Sequence, residues 1–347
     1  MIRVGIAGIG FMGMIHYLAY QKLQGVKVVA MCEKDPVRLS GDWRSIKGNF
    51  GPRGEVMDLT GIAKYSELAE LLADPSVDLV DVCLPPALHA PTTIDALKQG
   101  KHVFCEKPIT LKVADAEQMV HTAASTGRLL MIGHVLPFFP EYQFAYKTIV
   151  EGKYGRLLGG HFKRIISDPL WLPDFYDPEK VGGPMIDLHV HDAHFIRLVC
   201  GMPKLVHSVG RMRGEVVEQF STQFVFEDPM LVVTAASGVI YQQGREFTHG
   251  FEIYLEKATL LYDFSVLGGQ GVLSMPLTVL TADGKVERPA LGGGDPVDAF
   301  VAELQEVIDA VAHNRPSALL DGRLARDALI LCHRQTESVR QRRAVQV

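Results

Sequence analysis

The sequence contains no uninterrupted apolar run of the 18 or more residues that a membrane-spanning helix requires. It also lacks a surplus of basic residues, because 35 Lys and Arg residues stand against 40 Asp and Glu residues and the formal net charge is −5. Scattered basic residues in an acidic chain offer no face for phosphate backbones. We therefore expect neither a membrane span nor nucleic acid among the partners.

Cysteine is scarce, and its five positions form an odd set without a CxxC pair. The first three, Cys32, Cys83 and Cys105, lie in apolar runs where cysteine packs as a small hydrophobic residue. This pattern argues against a disulfide framework and predicts a reducing compartment, by default the cytoplasm. A length of 347 residues, with 47% hydrophobic and 22% charged residues, is typical of a globular protein with two cores.

What the first third does contain is a regular alternation of apolar runs with helical patterns. We predict helices at 11–24, 66–73, 89–99 and 112–126, and strands at 2–7, 26–32, 62–65, 78–84, 102–105 and 129–133. This alternation predicts a doubly wound parallel sheet covered on both faces. We interpret residues 1–134 as a dinucleotide-binding Rossmann domain, with a long glycine-rich loop at 41–61 after a short helix.

From about residue 135 the pattern changes. After a helix near 140–151 and a polar helix around 185–195, six β-type runs follow one another at 204–212, 221–227, 231–237, 246–257, 258–264 and 277–284. The DG and GG turns between them predict an open, mainly antiparallel sheet. We interpret residues 135–347 as a second α/β domain, closed by helices at 296–313 and 322–340. The last helix is a candidate to pack back on the first domain.

The glycine motif G-I-G-F-M-G follows the first strand and opens the first helix. Gly8 permits a tight turn, Gly10 lets backbone approach a pyrophosphate, and Gly13 allows close packing of helix on strand. Glu33 ends the second strand, where a carboxylate can accept both hydroxyls of an adenosine ribose and repel a 2′-phosphate. NAD is therefore favoured over NADP, although Lys34 keeps NADP an alternative. A glycine-rich turn beside a surface acid is the competing interpretation.

Two further segments carry groups suited to proton chemistry. Lys107 follows a strand in FCEKPI, at the carboxyl edge of the sheet, where it can reach a substrate hydroxyl; the competing interpretation is a solvated turn lysine. In MIDLHVHDAHF, Asp187, His191 and His194 fall within about 60° of one another on a helix. A histidine oriented by a carboxylate one turn earlier suits general acid-base work.

A metal site in that segment would have to recruit ligands from elsewhere, because His189 and Asp192 point away from the shared face and HxH on a helix is poor metal geometry. We therefore predict no metal. The competing interpretation for each histidine is a satisfied contact between helix and sheet, which weighs more for His189 and His194 than for His191.

Together, GIGFMG, Glu33, LPPALH (84–89), GKHVFCEKPI (100–109) and GGPMIDLHVHD (182–192) resemble the Gfo/Idh/MocA family of oxidoreductases. The order and spacing of these motifs extend over nearly the whole chain. The resemblance implies a Rossmann domain, an α/β domain whose open sheet often forms homodimer or homotetramer contacts, and an NAD(P) cofactor. Its typical substrates are sugars, polyols and related cyclic secondary alcohols.

The resemblance also implies roles for single residues. Lys107 of the EKP motif, with Asp187 and His191 of a D-x-x-x-H motif, would complete the active site. The residues expected on the cofactor side are Gly8, Ile9, Gly10, Phe11, Met12, Gly13, Glu33, Leu84, Pro85, His89, Glu106 and Lys107. Those expected on the substrate side are Lys107, His134, Trp171, Asp187, His189 and His191.

The chain departs from the family pattern on the substrate side. His189 stands where glycine is usual, His194 where an acid is usual, and Pro137 where arginine is frequent. Trp171, Phe175 and Tyr176 could form a stacking wall for a sugar ring, or could simply pack their loop down.

The leading hypothesis is reversible hydride transfer between a substrate carbinol and nicotinamide, with His191 as base and Lys107 steadying the alkoxide. One alternative is an NAD-dependent glycosidase that uses transient oxidation and elimination. Others are a sugar- or nucleotide-sensing regulator without catalysis, and a zinc enzyme based on the three histidines.

Overall fold

The computed structural model describes residues 1–48, 50–292 and 295–347. The chain divides into two compact units: unit 1 comprises Met1–Phe138 and Gly293–Arg326, and unit 2 comprises Phe139–Gly292 and Asp327–Val347. Within the described ranges, no helix has the length and apolar character to cross a membrane.

Unit 1 is built on a six-stranded parallel sheet with the order β3-β2-β1-β4-β5-β6. The strands are β1 (Ile2–Ala7), β2 (Val26–Cys32), β3 (Ala63–Tyr65), β4 (Leu79–Val82), β5 (His102–Glu106) and β6 (Leu130–Gly133). The strand order reverses between β1 and β4, so the crevice outside their carboxyl ends is where open α/β sheets bind ligands. The predicted doubly wound parallel sheet is confirmed.

The helices of unit 1 cover this sheet. They are α1 (Phe11–Tyr20), α2 (Pro36–Ser40), α3 (Leu68–Ala73), α4 (His89–Lys98), α5 (Val113–Thr126) and, much later in the chain, α8 (Pro296–Ala312). Segment 41–61 has no regular element in its described part, and Asn49 lies outside the described residues. It packs on the sheet domain through Trp43, which is fully buried against Tyr17 of α1.

Unit 2 contains a nine-stranded sheet in the order β14-β13-β12-β11-β7-β10-β9-β8-β15. The strands are β7 (Leu157–Ser167), β8 (Leu205–Arg213), β9 (Val216–Val225), β10 (Val232–Ile240), β11 (Arg245–Leu255), β12 (Ala258–Leu267), β13 (Gln270–Thr281), β14 (Val286–Glu287) and β15 (Val345–Gln346). Only the β7–β10 pair among these described strands is parallel. The mainly antiparallel character predicted for this sheet is thus confirmed. Helices α6 (Pro140–Val150), α7 (Val190–Cys200) and α9 (Gly322–Gln341) complete the description.

The division into units differs from the predicted boundary between residues 134 and 135. The first unit extends to Phe138 and also includes the later segment 293–326, because α8 packs on α1 and β1. The predicted second domain of residues 135–347 therefore holds one segment that folds with the first. Of the last helix, residues 322–326 belong to unit 1 and the remainder to unit 2.

Strand β7 is a long element that the sequence analysis did not predict, as it also did not predict the two-residue strands β14 and β15. It lies in the middle of the nine-stranded sheet, between β10 and β11. Its two glycines, Gly159 and Gly160, resemble a turn in the sequence. A Cβ added to Gly159 would lie 2.1 Å from the Val232 carbonyl oxygen, and one added to Gly160 would lie 3.0 Å from the Glu252 carbonyl oxygen. The glycines therefore allow both neighbouring strands to approach closely.

Candidate active site

The glycine motif forms the turn between β1 and α1, and its three glycines are required for different reasons. Gly8 has a φ of +98°, and a Cβ there would lie 2.6 Å from the Cys83 carbonyl oxygen. A Cβ on Gly13 would lie 2.1 Å from the Gly8 carbonyl oxygen. At Gly10, the N-cap of α1, an added Cβ would meet no atom within 4 Å. The turn therefore leaves open space at a helix N-terminus, where N–H groups favour a phosphate.

Glu33 lies directly after β2 and is bonded to this turn. One carboxylate oxygen accepts the Ile9 N–H at 2.7 Å, and the other accepts the Asp35 N–H at 3.0 Å. Arg38 stands beside the acid, donating to the Ile9 carbonyl oxygen at 3.4 Å. The half-buried carboxylate of Glu33 can accept hydrogen bonds from ribose hydroxyls. The positive charge of Arg38 reduces the repulsion between this carboxylate and a 2′-phosphate.

His89 connects two other turns at the carboxyl edge of the sheet. Its Nδ1 lies 2.7 Å from the Pro108 carbonyl oxygen, and its Nε2 lies 2.7 Å from the Leu84 carbonyl oxygen. The ring is fully buried, and burial lowers the pKa of His89. We expected His89 on the cofactor side, and the structure places its imidazole inside, where it supports the turns after β4 and β5.

Glu106 ends β5, and Lys107 begins the following turn. The Lys107 backbone N–H donates to Glu106 Oε2 at 3.0 Å. Glu106 is buried, whereas Lys107 is half-buried. His134 follows β6 and is fully buried, so the structure places this expected substrate residue in the interior of unit 1.

In unit 2, residues Pro184–Leu188 form a π-helical turn that precedes α7, where the sequence predicted one regular helix. The His189 N–H donates to the Pro184 carbonyl oxygen at 2.8 Å, a bond across five residues instead of four. Asp187 and His191 are half-buried, but His194 is fully buried. Of the three residues expected on a shared face, Asp187 and His191 are partly exposed and His194 is not. The wider turn lies between Asp187 and the regular helix, so it changes the angle between Asp187 and the two histidines.

The remaining polar residues of this segment hold unit 2 together. Asp192 forms a buried bidentate ion pair with Arg164, at 2.7 and 3.1 Å. His189 accepts a hydrogen bond from Gln335 at 3.0 Å and is fully buried. Burial lowers the pKa of His189 to about 4. Although we expected His189 on the substrate side, it occupies an internal helix-to-sheet contact, as the competing interpretation predicted.

The three aromatic residues of the loop after β7 do not form a common wall. Phe175 is 1% exposed, whereas Trp171 is 74% exposed. The Tyr176 hydroxyl donates to Asp168 at 2.8 Å, and the Arg213 guanidinium lies 4.0 Å from the centre of the Tyr176 ring. Phe175 and Tyr176 therefore pack the loop down, and Trp171 is left facing solvent.

Sequence reasoning missed a buried polar cluster in unit 1. Within the described part of the chain, one group of three residues brings potential metal ligands within 4.8 Å of one another: His16, Asp81 and Cys83. The three histidines of the 189–194 segment form no such group there. The signal available in the sequence was a histidine three residues after Gly13, on the helix that follows the nucleotide turn.

Two family models match the chain. The first, described as an oxidoreductase family with an NAD-binding Rossmann fold, matches residues 2–134. The second, the GFO/IDH/MocA C-terminal domain, matches residues 142–261.

Individual proteins show the same likeness. A 1,5-anhydro-D-fructose reductase from Ensifer adhaerens is 30% identical over 276 residues, covering 74% of this chain and 77% of the relative. A 2,7-anhydro-N-acetylneuraminate hydratase from Escherichia coli is 33% identical over 237 residues, covering 67% and 58%. The crystal structure of an NAD binding oxidoreductase from Klebsiella pneumoniae superimposes with a TM-score of 0.83 at 19% identity, covering 100% and 99%. That structural likeness establishes the fold.

Proposed function

Because the chain belongs to the Gfo/Idh/MocA family of NAD-binding oxidoreductases, we propose that it transfers a hydride between nicotinamide and a secondary alcohol of a sugar, polyol or related cyclic substrate. The observation that carries the proposal is the open helix N-terminus at Gly10, bounded by Glu33, in a chain that also keeps Lys107, Asp187 and His191. The helix N-terminus and Glu33 suit a dinucleotide. Lys107, Asp187 and His191 supply groups that can donate or accept a proton.

NAD, when bound, supplies the hydride acceptor or donor, and the protein supplies binding and orientation. The open space at Gly10 would take the pyrophosphate, and Glu33 the adenosine ribose. Leu84 and Pro85 after β4, with Glu106 at the end of β5, would line the cofactor. We propose NAD as the preferred cofactor because Glu33 presents a carboxylate; Arg38 beside it keeps NADP as the alternative.

We propose Lys107, Asp187 and His191 as the catalytic residues. His191 would remove the hydroxyl proton as the hydride leaves, and Asp187 would orient it from one turn earlier. Lys107 would donate a hydrogen bond to the developing alkoxide. Support comes from exposure: in a polar segment whose other members are buried, Asp187 and His191 are the two partly open to solvent.

Trp171 is the aromatic residue best suited to contact a sugar ring, because its side chain is largely exposed. A substrate with several hydroxyls on an apolar ring face can stack on an indole. The reductase relative, named for an anhydrosugar, supports a cyclic polyhydroxylated substrate.

The test is a screen of NAD reduction against sugars, anhydrosugars and inositols, followed at the absorbance of NADH. Lys107→Met and His191→Asn should each lower turnover by about 10²-fold or more while leaving NAD affinity nearly unchanged. Substitution of the exposed His207 by Gln provides the control. Wild-type turnover in both variants would contradict the assignment.

A net non-redox reaction is the second candidate, favoured by the 33% identity with a relative named as a hydratase. In that case oxidation would be transient, and an elimination or addition would occur before the hydride returns. Product formation without accumulation of NADH, measured on one sample by chromatography and absorbance, distinguishes this reaction from simple dehydrogenation.

We propose a homodimer or homotetramer that uses the nine-stranded sheet of unit 2. Support comes from exposed apolar side chains on its strands, among them Val209, Val232 and Leu273. Light scattering coupled to gel filtration tests this; a monomer at micromolar concentration would contradict it. We also propose a cytoplasmic location, supported by five free cysteines, which fractionation of the source cells would test.

A further inference from the structure

A buried polar cluster lies in unit 1 beneath the turn that carries Lys107. His16 comes from α1, Asp81 from β4, Glu106 from the end of β5 and Glu303 from α8. All four side chains are buried, and His16, Asp81 and Glu303 are fully inaccessible. No step of the proposed reaction uses this cluster directly. Because burying charged groups costs free energy, we expect the cluster to have a function.

His16 stands between two carboxylates. Its Nδ1 is hydrogen-bonded to Asp81 Oδ2 at 2.9 Å, and its Nε2 lies 3.2 Å from Glu106 Oε1, an ion-pair contact that is not aligned as a hydrogen bond. A neutral imidazole carries one N–H and would turn a lone pair toward one of these carboxylates, whereas an imidazolium presents an N–H and a positive charge to each of them. Burial lowers the pKa of His16, but the charge of Asp81 and its hydrogen bond raise that pKa to well above its ordinary value.

The other groups complete the charge balance. The Tyr20 hydroxyl donates to Asp81 at 3.0 Å. Burial, with the negative charge of Glu106, raises the pKa of Glu303 well above its ordinary value. This shift favours the neutral form of the Glu303 carboxyl.

A proton fits between His16 and Asp81 better than a metal ion does. Ligands of a tetrahedral zinc ion at 2.0–2.3 Å are separated by about 3.3 Å or more. The 2.9 Å between Nδ1 and Oδ2 is shorter than that and is an ordinary charge-assisted hydrogen-bond length. Cys83 Sγ, 3.3 Å from Asp81 Oδ1, donates to the same carboxylate.

The cluster reaches Lys107 through Glu106. One oxygen of Glu106 faces His16, and the other accepts the Lys107 backbone N–H at 3.0 Å. Gly133 lies against the same carboxylate, since a Cβ there would be 3.1 Å from Oε1. Oε2 is held by the Lys107 N–H, and Oε1 lies between the His16 ring and Gly133, so these contacts restrict the Glu106 carboxylate and with it the first peptide of the EKP turn.

We propose that His16 is a positioning residue: held by Asp81, it fixes the Glu106 carboxylate and thereby the backbone from which the Lys107 amine extends. The inference rests on the catalytic role proposed for Lys107. It assigns no contact between His16 and cofactor or substrate.

Two substitutions of His16 separate its two contacts. In His16→Gln the side-chain amide nitrogen stands near the former Nε2 and keeps the contact with Glu106. In His16→Asn it stands near the former Nδ1 and can donate only to Asp81. Both variants remove the same charge from the same buried place. A merely structural role would therefore lower melting temperature and activity in parallel in the two variants.

The positioning role predicts a difference between them. His16→Asn should lower kcat roughly tenfold or more, since small misplacements of catalytic groups are costly, while the KM for NAD changes little. His16→Gln should keep most of the kcat. Equal loss of kcat in the two variants at equal melting temperature would overturn the inference.

A second readout needs no substrate. Competitive acetylation of the folded protein with acetic anhydride between pH 7 and 11, read by mass spectrometry, reports the reactivity and apparent pKa of the Lys107 amine. His16→Asn should alter the Lys107 profile, and His16→Gln should match the wild type. The exposed Lys204 serves as an internal reference. An unchanged Lys107 profile in His16→Asn overturns the inference whatever the activity.

This readout also separates the two proposals. If no substrate in the panel is oxidised, the proposed function fails, and the acetylation profiles still decide the positioning role. If neither His16 variant folds, Glu106→Gln replaces them, because an amide in either orientation loses one of the two contacts of the carboxylate. Glu106→Gln must then alter the Lys107 profile, and a wild-type profile refutes the role.

Discussion

His189 should make the stability of the protein sensitive to acid, and replacing it by Gln should remove that sensitivity. The ring is fully buried, packs edge-on against Phe220 with 4.9 Å between ring centres, and accepts a hydrogen bond from Gln335. Burial is the largest cause of its lowered pKa of about 4; the nearby Arg164 lowers it further, and Asp192 partly opposes both.

The sign follows from which state binds the proton. In the unfolded chain a histidine has a pKa of about 6.5, so between pH 6.5 and 4 the unfolded state holds a proton that the folded state lacks. The free energy of unfolding must therefore decrease as the pH falls through this window. At about 1.4 kcal/mol per pH unit, the loss is about 2 kcal/mol at pH 5 and about 3 kcal/mol at pH 4.

Urea unfolding of wild type and His189→Gln at pH 7.5 and pH 5 measures this effect. The Gln side chain keeps an acceptor near the former Nε2 but cannot titrate. The wild type should lose about 2 kcal/mol more than the variant between the two pH values. His207→Gln, an exposed substitution, should leave the pH dependence unchanged. If wild type and His189→Gln lose equal stability, the buried neutral state of His189 is refuted.

Three further predictions concern the nucleotide turn and the Arg164–Asp192 ion pair. Gly10→Ala should melt like the wild type but bind NAD at least about tenfold more weakly in a fluorescence titration, because its Cβ enters only the open space. Gly13→Ala should lower the melting temperature, because its Cβ would lie 2.1 Å from the Gly8 carbonyl oxygen. Arg164→Met should cost about 3–5 kcal/mol in urea unfolding, and Asp192→Leu added to it should recover part of that cost; no recovery would contradict the ion-pair reasoning.

The sheet of unit 1 was predictable because buried parallel strands have a local signature. Strands β1 and β2 are mainly apolar runs, each with one basic residue near its start, and the structure reproduces their predicted bounds, 2–7 and 26–32. The resemblance to the family also rested on local motifs, and the family models confirm it.

Strand β7 was not predictable because its identity depends on distant neighbours. Gly159 and Gly160 interrupt an otherwise ordinary strand pattern, and glycine pairs are typical of turns. The reason for these two glycines is seen only in the folded sheet, where Val232 and Glu252, more than 70 residues away in the chain, lie beside them.

The face that Asp187 presents was only partly predictable, for a geometric reason. An angle of 100° per residue placed His191 and His194 with it, and this angle holds only in a regular α-helix. The π-helical turn at Pro184–Leu188 replaces the first four-residue bond by a five-residue bond. No residue in PMIDL indicates that turn, so the angle between Asp187 and the histidines of α7 could not be derived from spacing.

His16 and His189 show that the charge state of a histidine cannot be predicted from the spacing of residues in the sequence. Both are fully buried histidines on or beside helices, and burial alone drives the pKa of each one down. His16 nevertheless ends above its ordinary value and His189 below it. The difference is that His16 lies within 3.2 Å of two carboxylates, from β4 and β5, whereas the nearest carboxylate oxygen to His189 is Asp192 Oδ2 at 3.9 Å, already bonded to Arg164. Because the charge state depends on partners brought by other elements, the cationic form is favoured in one ring, which lies beside a carboxylate that it can hold in place. The other is a neutral acceptor, so the same residue type carries opposite roles in the two units.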